Sequence, residues 1–259
     1  MTPPEPINPE SQPPPVGVLV LDKPEGISSM KAVAIVRARA NRAKTGQAGT
    51  LDPLATGVLV LALGRAATKH IDAMMGTDKR YHTLINLEAF TNTDDREGER
   101  EMVEVASPPD EETVRQAIRG FVGEIMQKPP AFSAIKIDGR RAYKQARKGE
   151  VVDIPARAVI AYGIDLIRYD WPEVELEVHC AKGFYIRSLA RNLGESLRTG
   201  GYCLSIRRTG VGPFTIDQAM ALDDVPNPLK LEDLIPIETA LERIARHKQV
   251  IGETTTSTE

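Results

Sequence analysis

Cysteine is nearly absent from this 259-residue chain. Cys180 and Cys203 allow at most one bridge and lack metal-ligand spacing, which argues against a disulfide scaffold and against a zinc module. Aromatic residues make up only 5%, so any core must be mainly aliphatic. No apolar run approaches the roughly 18 residues of a membrane span; VGVLVL and GVLVLAL are far shorter. The opening MTPPEPINPESQPPP has neither the basic start nor the apolar stretch of a signal peptide, and a cytoplasmic location is expected. Charge of one sign is lacking too, with 33 basic against 36 acidic side chains. At 41% hydrophobic, a chain of this length can bury one large core or two modest ones.

The pattern along the chain mixes strands and helices without a regular βαβ period, which points to an α+β fold. Residues 1–15 are rich in proline and poor in large apolar side chains, and are expected to form a disordered or polyproline-like tail. Order is expected from Val16, where a short apolar run stops at Pro24 and Gly26. Ser28 and Ser29 are cap candidates for a helix that turns Val33 and Val36 inward. Val58–Leu63 has the length of a buried strand. Tyr81, Thr83, Ile85, Leu87 and Ala89 alternate as one face of another. Asp110 precedes a helical stripe of Val114, Ala117, Ile118 and Phe121, and Ile186, Leu189, Ala190, Leu193 and Leu197 form a second. Val159–Tyr169 and Val174–Cys180 are expected to pair around Asp170-Trp171-Pro172. One domain is expected over 16–242, followed by a loose polar tail at 243–259.

Charge is unevenly spread. Residues 128–148 carry seven cations against one acid, and residues 182–208 six against one. Arg37, Arg39, Arg42 and Lys44 add a third cluster, whereas residues 94–112 hold nine acids and two arginines. A near-neutral total can thus contain a basic face able to follow a phosphate backbone, although mixed charge on a solvated surface gives the same composition.

The densest unusual segment is GQAGTLDPLATGVLVLALGRAATK, residues 46–69. Gly46, Gly49 and Gly57, with Pro53, enforce a backbone that neither helix nor strand propensity would choose. Asp52 is the single carboxylate in this loop and stands just before an apolar strand. A carboxylate so placed can be a nucleophile, a general base or a metal ligand, and an Asp-Pro turn can equally use it to bond local backbone. No G-x-x-x-x-G-K-[ST] phosphate loop is present, and no His or Glu cluster with Asp94 and Asp95 has metal-ligand spacing.

Five segments carry a resemblance: GVLVLDKPEGISS, AGTLDPLATGVLVLALGRAATK, DKRYHTLINLEAFTNTDDREGE, QKPPAFSAIKIDGRRAYKQARKGE and CAKGFYIRSLARNLGESL. In this order, from about Val16 to Phe214, they resemble the successive motifs of the bacterial TruB family of tRNA pseudouridine-55 synthases. The resemblance implies a pseudouridine synthase catalytic fold, a largely antiparallel mixed sheet flanked by helices. It would span 16–242, including a basic insert at 128–148 and a C-terminal subregion at 182–242. It implies isomerisation of a T-loop uridine of tRNA after base flipping, with no cofactor, no metal, no membrane and no obligatory protein partner.

Residue by residue, Asp52 matches the family's essential aspartate, acting at the sugar through an adduct or a glycal route. Arg187 matches the arginine paired with that aspartate; a buried carboxylate needs such a cation to stay ionised. Tyr185 matches the tyrosine proposed to take the C5 proton, and Tyr81 the one that stacks on the flipped base. Lys23 and Pro24 match a stretch that buttresses the loop, and Ile206 an aliphatic position lining the base pocket. Two departures stand out. Gln47 occupies the place of a family histidine that contacts the RNA loop, and glutamine cannot become cationic. The C-terminal segment after LEDLIPIETALERIARHKQV is too short for the PUA domain of many relatives, so the basic insert is expected to share the RNA grip. A guide-RNA-dependent synthase, a non-catalytic RNA-folding protein and a metal-dependent hydrolase are the rival readings; the Asp52, Tyr81, Tyr185 and Arg187 set favours a stand-alone synthase.

Overall fold

The computed structural model describes residues 13–132, 136–137, 140–141 and 154–256, the side chains of 136–137, 140–141 and 252–256 excepted. Most of the proline-rich tail and of the basic stretch 128–148 lies outside these residues. In chain order the elements are β1 (Gly17–Lys23), α1 (Ser29–Arg39), β2 (Thr45–Gln47), β3 (Thr56–Leu63), α2 (Gly64–Thr68), α3 (Ile71–Met75), β4 (Lys79–Asn86), β5 (Ala89–Thr91) and β6 (Arg100–Met102). They continue as α4 (Glu111–Arg119), β7 (Gly123–Gln127), β8 (Lys136–Ile137), β9 (Arg140–Arg141), β10 (Arg157–Asp170), β11 (Glu173–Cys180) and α5 (Ile186–Leu197). The last are β12 (Tyr202–Val211), β13 (Phe214–Thr215), β14 (Met220–Ala221) and α6 (Ile237–Thr256). The α+β expectation holds, and the strand pairing is mainly antiparallel. No helix among the described residues is long and apolar enough to cross a membrane.

The chain forms two compact units, one from the described residues up to Thr77 and from Arg208 onward, the other from Asp78–Arg207. In the first, β1 lies between β14, parallel, and β3, antiparallel, and β2 pairs with β3. All but the first residue of β3 are buried, as its uninterrupted apolar run requires of a strand covered on both faces. Val20, Val58, Val60, Met74 and Phe214 build the core with Ile237, Ala240 and Ile244 of α6. Ser28 caps α1, its hydroxyl accepting the Lys31 N–H, and Val33 and Val36 point inward as their spacing predicts.

Helix α6 corrects the expected tail, since it runs to Thr256. Ala240 and Ile244, one turn apart, bury one face of it, and Glu242 pairs with Arg246 across the next turn.

In the second unit the antiparallel order is β4-β11-β10-β7. β10 and β11 pair around Trp171-Pro172, and Val174, Leu176, Val178 and Cys180 alternate inward. Helix α5 packs on β4 and α4, burying Leu189, Ala190 and Leu193. Two expected boundaries shift. β4 ends at Asn86, because Asn86 Oδ1 accepts the Glu88 N–H and turns the chain before Ala89. Asp110 caps α4 through the Thr113 N–H, but the helix stops at Arg119, leaving Phe121 beyond it.

Candidate active site

The loop carrying Asp52 is fixed from both sides by groups that a local sequence window does not connect. On one side, the Ser29 hydroxyl donates to the Leu51 carbonyl and accepts from the Leu51 N–H, each at 2.8 Å. On the other, Lys23 Nζ donates to the carbonyls of Pro24 (2.7 Å), Ile27 (2.8 Å) and Pro53 (3.3 Å), and the Gly26 N–H also reaches Pro53 O at 2.9 Å. Further out, Arg208 donates from Nε to Val58 O (2.7 Å) and from Nη2 to Gly49 O (3.0 Å). The residues flanking Asp52 therefore have their backbone groups engaged, while Asp52 itself is half-buried and its carbonyl accepts the Ala55 N–H. Gly57, at φ +97°, admits no other residue: a Cβ there would lie 2.2 Å from Arg208 O.

Lys23 ties the carbonyls of Pro24, Ile27 and Pro53 together through one ammonium. It is fully buried, and burial pulls its ammonium down to about 8 against the opposing carboxylates of Asp52 and Glu25. Gln47, at the end of β2, donates from Nε2 to Thr50 Oγ1 at 2.9 Å; its Oε1 is buried without a hydrogen-bond partner among the described residues. Lys23, Gln47 and Asp52 thus gather around one loop of the first unit.

Tyr81, Tyr185, Arg187 and Ile206 belong to the second unit. Tyr81 is half-buried on β4, opposite Val178, on the same face as Thr83 and Ile85. Ile206 is buried on β12. Tyr185 is the residue before α5, where its backbone N–H donates to Gln127 Oε1 (2.8 Å) and its carbonyl accepts from Gln127 Nε2 (3.0 Å). Arg187, only 4% exposed, donates to Thr93 O (2.9 Å) and Phe132 O (3.0 Å) and lies 3.6 Å from the Asp95 carboxylate.

The turn at Asp94-Asp95 is therefore more than an acidic surface. Asp95 Oδ1 accepts from Thr93 Oγ1 at 2.6 Å and from the Glu97 N–H at 3.1 Å, which leaves Oδ2 toward Arg187. Asp94 pairs with Arg191, whose Nη2 also donates to Lys128 O at 2.7 Å. Burial pushes the Asp94 carboxyl up to about 6, although Arg191 and Arg187 pull the other way. Among the described residues no group of three or more His, Cys, Asp or Glu side chains could hold a metal ion.

Two of the six cations counted at 182–208 are interior. Arg187 and Arg208 are 4% and 2% exposed and point at carbonyls, so that stretch presents less positive surface than its composition implies. Ser29, Arg208, Asp95 and Gln127 hold the site residues in place, and no motif in the sequence marks them for that part. A signal exists for Arg208: in an alternating strand it shares a face with Ile206, and an arginine on an apolar face is held inside.

Known proteins with this architecture define a class. The chain superposes on the structure titled "Crystal Structure of a Cbf5-Nop10-Gar1 Complex" with a TM-score of 0.68 and 29% identity, covering 91% of this chain and 68% of that one. It superposes on "Structure of H/ACA RNP bound to a substrate RNA containing 2'-deoxyuridine" with a TM-score of 0.66 and 26% identity, covering 88% and 61%. The class is that of the pseudouridine synthases, which are isomerases. The sequence profile described as "TruB family pseudouridylate synthase (N terminal domain)" matches residues 37–186. Proteins named tRNA pseudouridine synthase B are 44% identical in Corynebacterium efficiens, over 88% of this chain and 77% of that one, and 48% identical in Corynebacterium diphtheriae, over 80% and 71%. The chain belongs to the TruB family of pseudouridylate synthases.

Proposed function

We propose that this protein is a tRNA pseudouridine synthase that isomerises uridine 55 of the T-loop, in the cytoplasm, without cofactor, metal or obligatory protein partner. The observation that carries the reading is the Asp52 loop: one carboxylate on a backbone fixed at Gly49, Leu51, Pro53 and Val58 by three separate side chains. Such preorganisation suits a group that must meet a flipped nucleotide in one geometry.

In the proposed reaction Tyr81 stacks on the extruded base and Ile206 lines its pocket. Gln47 contacts the RNA loop, and Lys23 holds the Asp52 loop in place. Asp52 acts at the ribose so that the N1–C1′ bond breaks, with Arg187 as the cation that assists it. The base turns, C5 bonds to C1′, and Tyr185 takes the C5 proton. The names of its relatives support tRNA as the substrate. Incubation with an unmodified tRNA transcript, followed by site-resolved pseudouridine mapping, tests the assignment: one new pseudouridine at position 55 is expected, and modification elsewhere or nowhere contradicts it.

A further inference from the structure

Gln127 and Arg157 face each other across the antiparallel ladder of β7 and β10, and both reach the segment that carries Tyr185. Gln127, 1% exposed, binds the backbone of Tyr185 twice, as donor and as acceptor. Arg157 donates from Nη2 to Gly183 O at 2.8 Å, and its guanidinium carbon lies 5.3 Å from the centre of the Tyr185 ring. Gly183 adopts φ +90°, a backbone conformation that favours glycine, and a Cβ there would press on the Arg157 guanidinium at 3.3 Å. One cross-strand pair thus fixes the backbone and the ring of one tyrosine.

We infer that Arg157 is a positioning residue for the proton-removal step, holding the Tyr185 ring and favouring its anionic form, while Gln127 sets the backbone from which that ring projects. The inference rests on the proposed role of Tyr185. After C5 has bonded to C1′, C5 carries both that bond and its original hydrogen. The proton passes to the Tyr185 phenolate oxygen, the electron pair of the C5–H bond closes the C5–C6 double bond, and the N1–C6 π pair returns to N1, which takes a proton from water; the phenol formed gives its proton to the hydroxide left. A phenolate is the form that accepts a proton, and a guanidinium at the ring favours negative charge there.

The test is single turnover at saturating RNA, on a T-loop stem-loop whose target uridine carries hydrogen or deuterium at C5. The proteins compared are wild type, Arg157→Met, Arg157→Lys and Tyr185→Phe. Arg157→Met is expected to react about two- to fivefold slower, the worth of one exposed cation–ring contact, with a larger deuterium effect than wild type. Arg157→Lys, which keeps a cation, is expected to recover most of both. Arg157 is exposed, so these variants are expected to fold. A slow Arg157→Met with the wild-type deuterium effect, or an unchanged rate, overturns the inference. If Tyr185→Phe itself leaves the deuterium effect unchanged, the role of Tyr185 fails, and the inference fails with it for that separate reason.

Discussion

Ser29 and Leu51 hold each other twice, the serine hydroxyl donating to the leucine carbonyl and accepting from its N–H, both at 2.8 Å. Ser29 is 1% exposed and Leu51 is the residue before Asp52, so the pair sets where the carboxylate leaves the backbone. Ser29→Ala strands a buried N–H and a buried carbonyl, and a loss of about 1–3 kcal/mol in unfolding free energy is expected. Because small misplacements of a reacting group are costly, kcat is expected to fall about tenfold or more with KM little changed. Denaturant unfolding together with steady-state kinetics reads both; an unchanged kcat would show that the Asp52 loop keeps its geometry without the serine.

Lys23 gives a pH dependence of stability. Its folded pKa is lowered from 10.5 to about 8, mainly by burial. Between those values the unfolded chain binds a proton that the folded chain does not, so the lysine's contribution makes stability rise with pH across that window. Below pH 8 both states are protonated and the contribution is flat. Unfolding free energies of wild type and Lys23→Met, measured from pH 7 to 10, are expected to diverge in favour of wild type above pH 8. Parallel curves would contradict the assignment.

With Arg187 and Arg208 turned inward, the RNA-facing charge must come from elsewhere. Arg140, Arg141, Lys144, Arg147 and Lys148 are the densest remaining cluster in the sequence. Replacing all five with alanine is expected to weaken tRNA binding with little change in the chemical step at saturating RNA. For every phosphate that one of these cations neutralises, its removal flattens the slope of log K against log salt by about 0.7–0.9. Binding isotherms at several salt concentrations measure it; an unchanged slope moves the grip to exposed cations such as Arg198.

Much of this architecture is legible because it is written locally. The Ser28 and Asp110 caps, the alternation of β11 and the buried run of β3 each follow from a window of a few residues. The endpoints that shift do so for tertiary or side-chain reasons: Asn86 turns β4, and Ile244, buried inside the expected tail, carries α6 past Glu242. Asp52 stands out because glycines and a proline surround it. Its clamps do not, since Ser29 is 22 residues from Leu51 and Arg208 is 159 from Gly49. Arg187 shows how composition misleads: counted as surface charge, it is held inside by the turn at Asp94-Asp95, a segment whose nine nearby acids resemble solvated surface.

A carboxylate that does the chemistry on a T-loop uridine of tRNA is indispensable to it, and replacing Asp52 alone puts that to the test. Wild type and Asp52→Asn are incubated with the same unmodified tRNA transcript, tRNA binding is measured alongside, and pseudouridine is mapped at every position. Asparagine keeps the shape of the side chain but cannot act as an anionic nucleophile or base. Pseudouridine at position 55 is expected with wild type, none with Asp52→Asn, and near-equal tRNA affinity for the two. Turnover by Asp52→Asn within about tenfold of wild type, a barrier deficit of no more than about 1.4 kcal/mol, would contradict it.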